Sequence, residues 1–133
     1  MFGALDTTTS ALVAQRTRAQ VISANLANKD ANFDVNGENN PFKRRIVVFA
    51  PGDPANNNPN GVHVREIMLD DHLQEKYDPT NPAADERGYI KATNIDSMME
   101  QVNMLEASRS YEANIAAAEA TKSMIQTSLR LLA

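Results

Sequence analysis

The sequence contains no cysteine, and this absence removes a group of possible functions. Without thiols the chain has no disulfides, no zinc-thiolate site and no thiol-based catalysis. It also has no surplus of positive charge, because 13 Lys and Arg residues stand against 17 Asp and Glu residues, for a formal net charge of -4. This balance gives no electrostatic attraction to nucleic acid or to an anionic membrane surface, so we expect neither as a partner.

Long apolar runs are also missing from the 133 residues. No stretch approaches the roughly 20 apolar residues that cross a bilayer as a helix. The N-terminal segment shows neither the basic leader nor the apolar run of a cleavable secretory signal. The sequence therefore predicts no direct membrane insertion and, for an exported protein, a route that needs no cleaved signal.

The common catalytic motifs are absent too. The chain has no glycine-rich phosphate loop, no His-Glu-x-x-His pair and no nucleophile elbow. His63 and His72 are the only histidines, and His72 lies close in sequence to Asp70, Asp71 and Glu75. Such an acidic cluster is more often a solvated loop than a metal site. The sequence thus predicts no enzyme, no metal site and no cofactor.

Proline and glycine are nearly absent from the two ends of the chain. All six prolines lie between Pro41 and Pro82, and four of the five glycines lie between Gly37 and Gly88. The ends therefore read as helices, from about residue 3 to 28 and from about residue 94 to 133. We expect an α+β fold in which long N- and C-terminal helices form a coiled-coil-like bundle beside a small central β-rich domain. Residues 1–30 and 93–133 would form the terminal helical assembly domain, and residues 31–92 the central strand and loop domain.

Each predicted helix carries an apolar stripe with the 3,4 spacing of one helix face. The stripes are the candidate assembly interface: Leu5, Leu12, Ala19, Ile22 and Leu26 in the first helix, and Met104, Tyr111, Ile115, Ala118, Ile125, Leu129 and Leu132 in the last. A second, rotated stripe at the front of the last helix contains Ile95, Met98, Met99, Val102 and Leu105. A helix of about 40 residues spans roughly 60 Å, which exceeds what so small a core can bury. Periodicity leaves two alternatives open, an antiparallel helix pair within one chain or burial against other subunits.

The centre of the chain reads as a small β module. The segments 42–49 and 61–69 are rich in β-branched residues and predict two strands. The turn-rich segment 51–61 predicts a long loop between them. A third short strand is expected at about 89–92, after an extended segment that begins at Tyr77.

Two blocks of residues carry a family resemblance. The stretch SANLAN at 23–28, with Asn25 and Asn28, resembles the Asn-x-x-Asn signature of bacterial flagellar rod, hook and hook-associated axial proteins. Residues 76–124 resemble the C-type proximal rod subunits of that family in their ordered blocks, which include Tyr77, Asp78, Pro79, Ala107, Ser108, Arg109, Tyr111, Glu112 and Asn114. The chain departs after Asn28, where NFDVNGENN follows and the threonine that members often carry is missing.

The resemblance implies a structural subunit of the flagellar basal-body proximal rod, which polymerises through its terminal helices and transmits torque. Such subunits are exported unfolded by the flagellar type III apparatus and assemble in the periplasm. Their partners are other rod subunits, further copies of themselves and the basal-body ring or adaptor proteins. Two alternatives stay open for Asn25 and Asn28: they cap or turn the end of the first helix, since asparagine tolerates the left-handed conformation, or they are ordinary helix-end residues. A helical chaperone or adaptor that binds a secreted client is the alternative function.

Overall fold

The computed structural model describes residues 2–133, which form two helices and four strands. Helix α1 spans Phe2–Ala27 and helix α2 spans Ser97–Leu132. The strands between them are β1 (Arg45–Asp53), β2 (Asn58–Leu69), β3 (Gln74–Tyr77) and β4 (Tyr89–Ala92). The α+β class, with long terminal helices and a small central β region, is confirmed.

Helix α2 begins where a side chain caps it. Asp96 has an extended backbone, and its carboxylate accepts hydrogen bonds from the backbone N–H groups of Met98 and Met99 at 2.9 and 3.3 Å. These bonds satisfy two of the donors that a helix start leaves free. Glu100 in the first turn and Arg130 in the last complement the helix dipole. The helix therefore starts at Ser97, three residues later than the sequence predicted.

Strands β1 and β2 form an antiparallel hairpin that is longer than predicted. The strands run on to the pair Asp53 and Asn58, so that only four residues form the turn. The carboxylate of Asp53 accepts hydrogen bonds from the Ala55 N–H at 3.1 Å and from the Asn56 side chain at 2.8 Å, which closes this turn. The prediction of a long loop over 51–61 was therefore wrong.

Strands β3 and β4 form a second antiparallel pair, with Gln74 opposite Ala92 and Tyr77 opposite Tyr89. Strand β4 was predicted with the bounds that the structure shows. Strand β3 was missed because its four residues, QEKY, are all exposed and show no alternation of apolar and polar side chains.

The two helices pack against each other as an antiparallel pair. Asn25 near the end of α1 contacts Glu100 at the start of α2, and Arg18 lies 3.2 Å from Glu106 further along. The β1–β2 hairpin also packs against α1, where the Ser10 hydroxyl accepts a hydrogen bond from the Val62 N–H at 3.1 Å. Within residues 2–133, neither helix is long and apolar enough to cross a membrane.

Candidate assembly interface

The side chains of the predicted α1 stripe are mostly covered by other parts of the same subunit. Ile22 is buried, and the other members, Leu5, Leu12, Ala19 and Leu26, are half-buried. The stripe therefore contributes to the internal packing of α1. Of the two alternatives that periodicity left open, the internal helix pair is present in the structure.

The predicted α2 stripe divides into two parts. Met104, Ala118 and Ile125 are half-buried on the side that faces α1. Tyr111 and Ile115 lie at the margin of that contact and are each 37% exposed. Leu129 and Leu132 are exposed at 62% and 85%. The end of the stripe is therefore open to solvent in the single subunit.

The open end follows from the lengths of the two helices. With 26 residues in α1 and 36 in α2, and with Asn25 beside Glu100, α1 reaches Phe2 while α2 still has about two turns to run. Those turns carry Leu129, Leu131 and Leu132. Three large apolar side chains are thus left without cover at one end of the subunit.

A second apolar face lies on α2 opposite the side that packs on α1. We call it the outer face; its members recur at helical spacing and are all exposed: Met98, Val102, Leu105, Ala113, Ala116, Ala120 and Leu131. Arg109, Ser123 and Thr127 are polar residues that fall on the same line. The front of this face was anticipated from the rotated stripe in the sequence. Its continuation through the alanines to Leu131 was not, because alanine marks both buried and exposed helix positions.

A groove between the helices contains an unsatisfied polar atom. A cavity of about 310 Å³ is lined by Gln15, Arg16, Ala19, Ala107, Ser108, Tyr111 and Glu112. The Oε1 atom of Gln15 is buried and has no hydrogen-bond partner within residues 2–133. A buried acceptor without a donor lowers stability. Four residues of the family-like block in α2 line it.

The residues of the family-like sequence that precede α2 lie at the second β pair. The ring of Tyr77 packs edge-on against Tyr89, with ring centres 5.2 Å apart. The Asp78 N–H donates to the Gly88 carbonyl at 2.9 Å. Gly88 has a φ of 83°, and a Cβ there would lie 3.1 Å from Cβ of Pro79, so this turn requires glycine. Tyr77, Asp78 and Pro79 therefore shape a loop and lie outside the helix pair.

Six residues of the block lie on α2, and Arg109 and Asn114 are the two that do not line the groove. Arg109 and Ser108 are exposed, and the Asn114 side chain donates to the Ser110 carbonyl one turn earlier at 2.8 Å. Ala107 is almost completely buried against α1. A larger side chain at this position would push the two helices apart.

Neither signature asparagine has the left-handed backbone that the sequence suggested for the helix end, and the two have different roles. Asn28 Nδ2 donates to the Ala24 carbonyl at 2.8 Å, and the same carbonyl accepts the Asn28 backbone N–H at 3.2 Å at the end of α1. Asn25 is buried and contacts the backbone of Arg45 in β1 and the carboxylate of Glu100 in α2. No signal in the sequence identifies these two partners, since they lie 20 and 75 residues away.

The histidines take part in local hydrogen bonds. His63 Nδ1 lies 2.7 Å from the Gly52 carbonyl within the hairpin. His72 is exposed, and its backbone N–H and Nδ1 both lie within 3.0 Å of Asp70 Oδ1. The backbone N–H of His72 is the main cause that lowers the pKa of Asp70 below its ordinary value. Across residues 2–133 there is no group of three or more His, Asp or Glu side chains arranged to hold a metal ion.

Comparison with known proteins identifies similar chains. Residues 86–131 match the family model described as Flagellar basal body rod FlgEFG protein C-terminal. The whole chain is similar to the flagellar basal-body rod protein FlgC of Bacillus subtilis, with 39% identity over 98% of this chain and 97% of that protein. The FlgC proteins of Aquifex aeolicus and Salmonella typhimurium are 41% and 40% identical, over 95% of this chain and 92% and 93% of theirs. The similarity thus extends over both helices and the β region.

Proposed function

Since the chain belongs to the family of flagellar basal-body rod proteins, we propose that it is a structural subunit of the rod and polymerises through its terminal helices. The observation that carries this function is the large apolar surface that α2 leaves uncovered. The outer face and the last turns of α2 both expose side chains that a soluble monomer normally buries.

The free energy available from this surface is large enough for assembly. Burying a large aliphatic side chain contributes about 1.5–3 kcal/mol. Leu129, Leu131 and Leu132 together would therefore contribute at most roughly 4.5–9 kcal/mol per contact, which is the value for complete burial. The front of the outer face ends at Leu105, roughly 36 Å along α2 from the leucine end, which we define as Leu129, Leu131 and Leu132, so the two are different surfaces. Contacts between different surfaces of identical subunits give open filaments when the rotation does not close. A rod subunit needs this kind of contact.

In the proposed assembly, every residue of the two predicted stripes has a role, either in packing within the subunit or in contact with neighbouring subunits. The α1 members and the half-buried α2 members hold the helix pair together inside the subunit. Tyr111, Ile115, Leu129 and Leu132 would contact neighbouring subunits.

The partners follow from the same role. We propose that the chain associates with other rod subunits, with further copies of itself and with the ring or adaptor proteins of the basal body, after export into the periplasm by the flagellar type III apparatus. It acts without catalysis. Residues 1–30 and 93–133 would form the inner helical layer and residues 31–92 the module outside it. Similarity to rod proteins along nearly the full chain favours this role over a chaperone or adaptor.

A pair of charge substitutions on α2 tests the function. Leu131→Glu places a charge on the exposed leucine end, whereas Gln126→Glu places the same charge on an exposed polar position of the same helix. In cells that depend on this gene for motility, we expect L131E to abolish swimming and to be absent from purified basal bodies. Q126E should swim normally. Normal swimming and normal incorporation of L131E would rule out the leucine end as an assembly surface.

A further inference from the structure

The side chain of Asn25, near the end of α1, forms hydrogen bonds with both backbone groups of Arg45 at the start of β1. Asn25 Oδ1 accepts the N–H of Arg45 at 3.0 Å, and Asn25 Nδ2 donates to the carbonyl of Arg45 at 2.9 Å. A neighbouring antiparallel strand would pair with one residue through the same two groups. Asn25 is 1% exposed, so these bonds are shielded from water.

Glu100, at the start of α2, contacts Asn25 and the neighbouring residue Arg44. Glu100 Oε1 accepts from Arg44 Nε at 2.5 Å, and Glu100 Oε2 accepts from Asn25 Nδ2 at 3.3 Å. Its carboxylate is 1% exposed. A buried carboxylate is tolerated only when it is paired and hydrogen-bonded, so Glu100 needs both partners in place. We call Asn25, Arg44, Arg45 and Glu100 the three-way joint, because they connect α1, β1 and α2.

The hairpin has a second attachment to α1 at its other end. Ser10 Oγ accepts from the Val62 N–H at 3.1 Å, and the Asn58 side chain donates to Thr7 Oγ1 at 3.2 Å. Ser10 and Asn25 are separated by about 22 Å along the helix axis. A body attached at one point can pivot about it, whereas attachment at two distant points removes that freedom.

We propose that the three-way joint fixes the angle between the β1–β2 hairpin and the helix pair, so that the subunit carries torque between them as one rigid body. Asn25 and Glu100 are positioning residues in this account, since they act through the placement of β1. This role rests on the proposed function as a rod subunit. It adds to that function a physical reason for the first asparagine of the SANLAN stretch.

The chain offers a matched control for the joint. Glu106 lies on the same helix and forms an ion pair with Arg18 of α1 at 3.2 Å, but its side chain is 63% exposed. Glu106→Gln therefore removes a charge and an interhelical pair without touching the hairpin. Glu100→Gln makes the same chemical change inside the joint, and Asn25→Ala removes both bonds to Arg45.

Distance measurements test the joint directly. Because the chain has no cysteine, two introduced cysteines give two defined spin-label sites. Labels at Ile67→Cys and Glu119→Cys report the position of the hairpin relative to α2, and labels at Gln20→Cys and Glu119→Cys report the helix pair; all three positions are exposed. In the parent chain and in E106Q we expect one narrow distance distribution for both label pairs.

In E100Q and N25A, the hairpin pair should lose its single narrow distance, while the helix pair keeps the parent distribution. E100Q keeps the shape of the side chain and provides the second variant in case N25A fails to fold. An unchanged hairpin distance in E100Q would overturn the proposal. Equal broadening of both label pairs would overturn it as well, because these residues would then stabilise the helix pair in general.

Incorporation into rods separates this proposal from the proposed function. We expect E100Q subunits to enter purified basal bodies but to support slower swimming than E106Q subunits. Equal swimming speeds would overturn the torque-carrying role of the joint. Failure of the parent chain itself to enter basal bodies would refute the rod function and leave the distance result unaffected.

Discussion

Replacing Gly61 with alanine should force the β1–β2 hairpin away from α1. Gly61 lies buried in β2, and an added Cβ would sit 2.8 Å from Asp53 Cβ and 2.9 Å from Ser10 Oγ. Neither neighbour can move freely. The Ser10 hydroxyl donates to the Thr7 carbonyl and accepts from the Val62 N–H, and the Asp53 carboxylate closes the hairpin turn.

The expected cost follows from these contacts. Forcing extra atoms into a packed site costs about 1–3 kcal/mol. Displacing Ser10 also weakens its bond with Val62, which contributes about 0.5–1.5 kcal/mol. We therefore expect Gly61→Ala to lower the free energy of unfolding by roughly 2–4 kcal/mol.

The same substitution at Gly3 provides the control. Gly3 lies in α1, and a Cβ there meets nothing within 4 Å. Alanine is favoured over glycine in a helix by about 0.5–1 kcal/mol, so Gly3→Ala should leave stability unchanged or raise it slightly. Urea unfolding of the purified variants, followed by circular dichroism, measures both effects. A free energy of unfolding for Gly61→Ala within about 0.5 kcal/mol of the parent would refute the steric reasoning.

Two other substitutions or conditions give separate tests. Glu100→Ala should lower the free energy of unfolding by roughly 2–4 kcal/mol, because it leaves Arg44 without its buried carboxylate and removes one of the two acceptors of Asn25 Nδ2. Glu106→Ala should cost at most about 1 kcal/mol, since that pair is exposed. Equal urea midpoints for the two variants would contradict this. Asp85 accepts the backbone N–H of Tyr89, and this bond is the main cause that lowers its pKa below 3.8. A lowered pKa in the folded chain contributes stability that is complete above 3.8 and is lost as the pH falls through the folded value, so NMR titration of the Asp85 carboxyl should show a midpoint below 3.8. A midpoint at or above 3.8 would contradict the assignment.

The helices and one strand could be predicted from the sequence because local signals determine them. The ends of the chain lack helix breakers, and Asp96 supplies a helix cap. The strand at Tyr89–Ala92 follows a glycine with a positive φ. In each case the residues that decide the structure are neighbours in sequence.

The contacts between elements could not be predicted, because polar or small side chains make them. The packing of α2 near α1 buries Glu100, Ala107 and Thr121, and apolar periodicity does not mark such positions. Asn25 finds its partner in the backbone of Arg45, for which no side-chain pattern is required. The predicted stripes therefore included the buried Ile22 of α1 but none of the three buried positions of α2.

Hydrogen exchange tests most directly whether neighbouring subunits cover the end of α2. Amides in the last turns of α2, about residues 124–132, should exchange rapidly in the isolated subunit, since their side chains are largely exposed and lie beyond the start of α1. Amides near Ala107 should be slow in both states. In purified basal bodies we predict strong protection of the last turns. Equally rapid exchange of those turns in the isolated subunit and in the assembled rod would contradict assembly through this end of the helix.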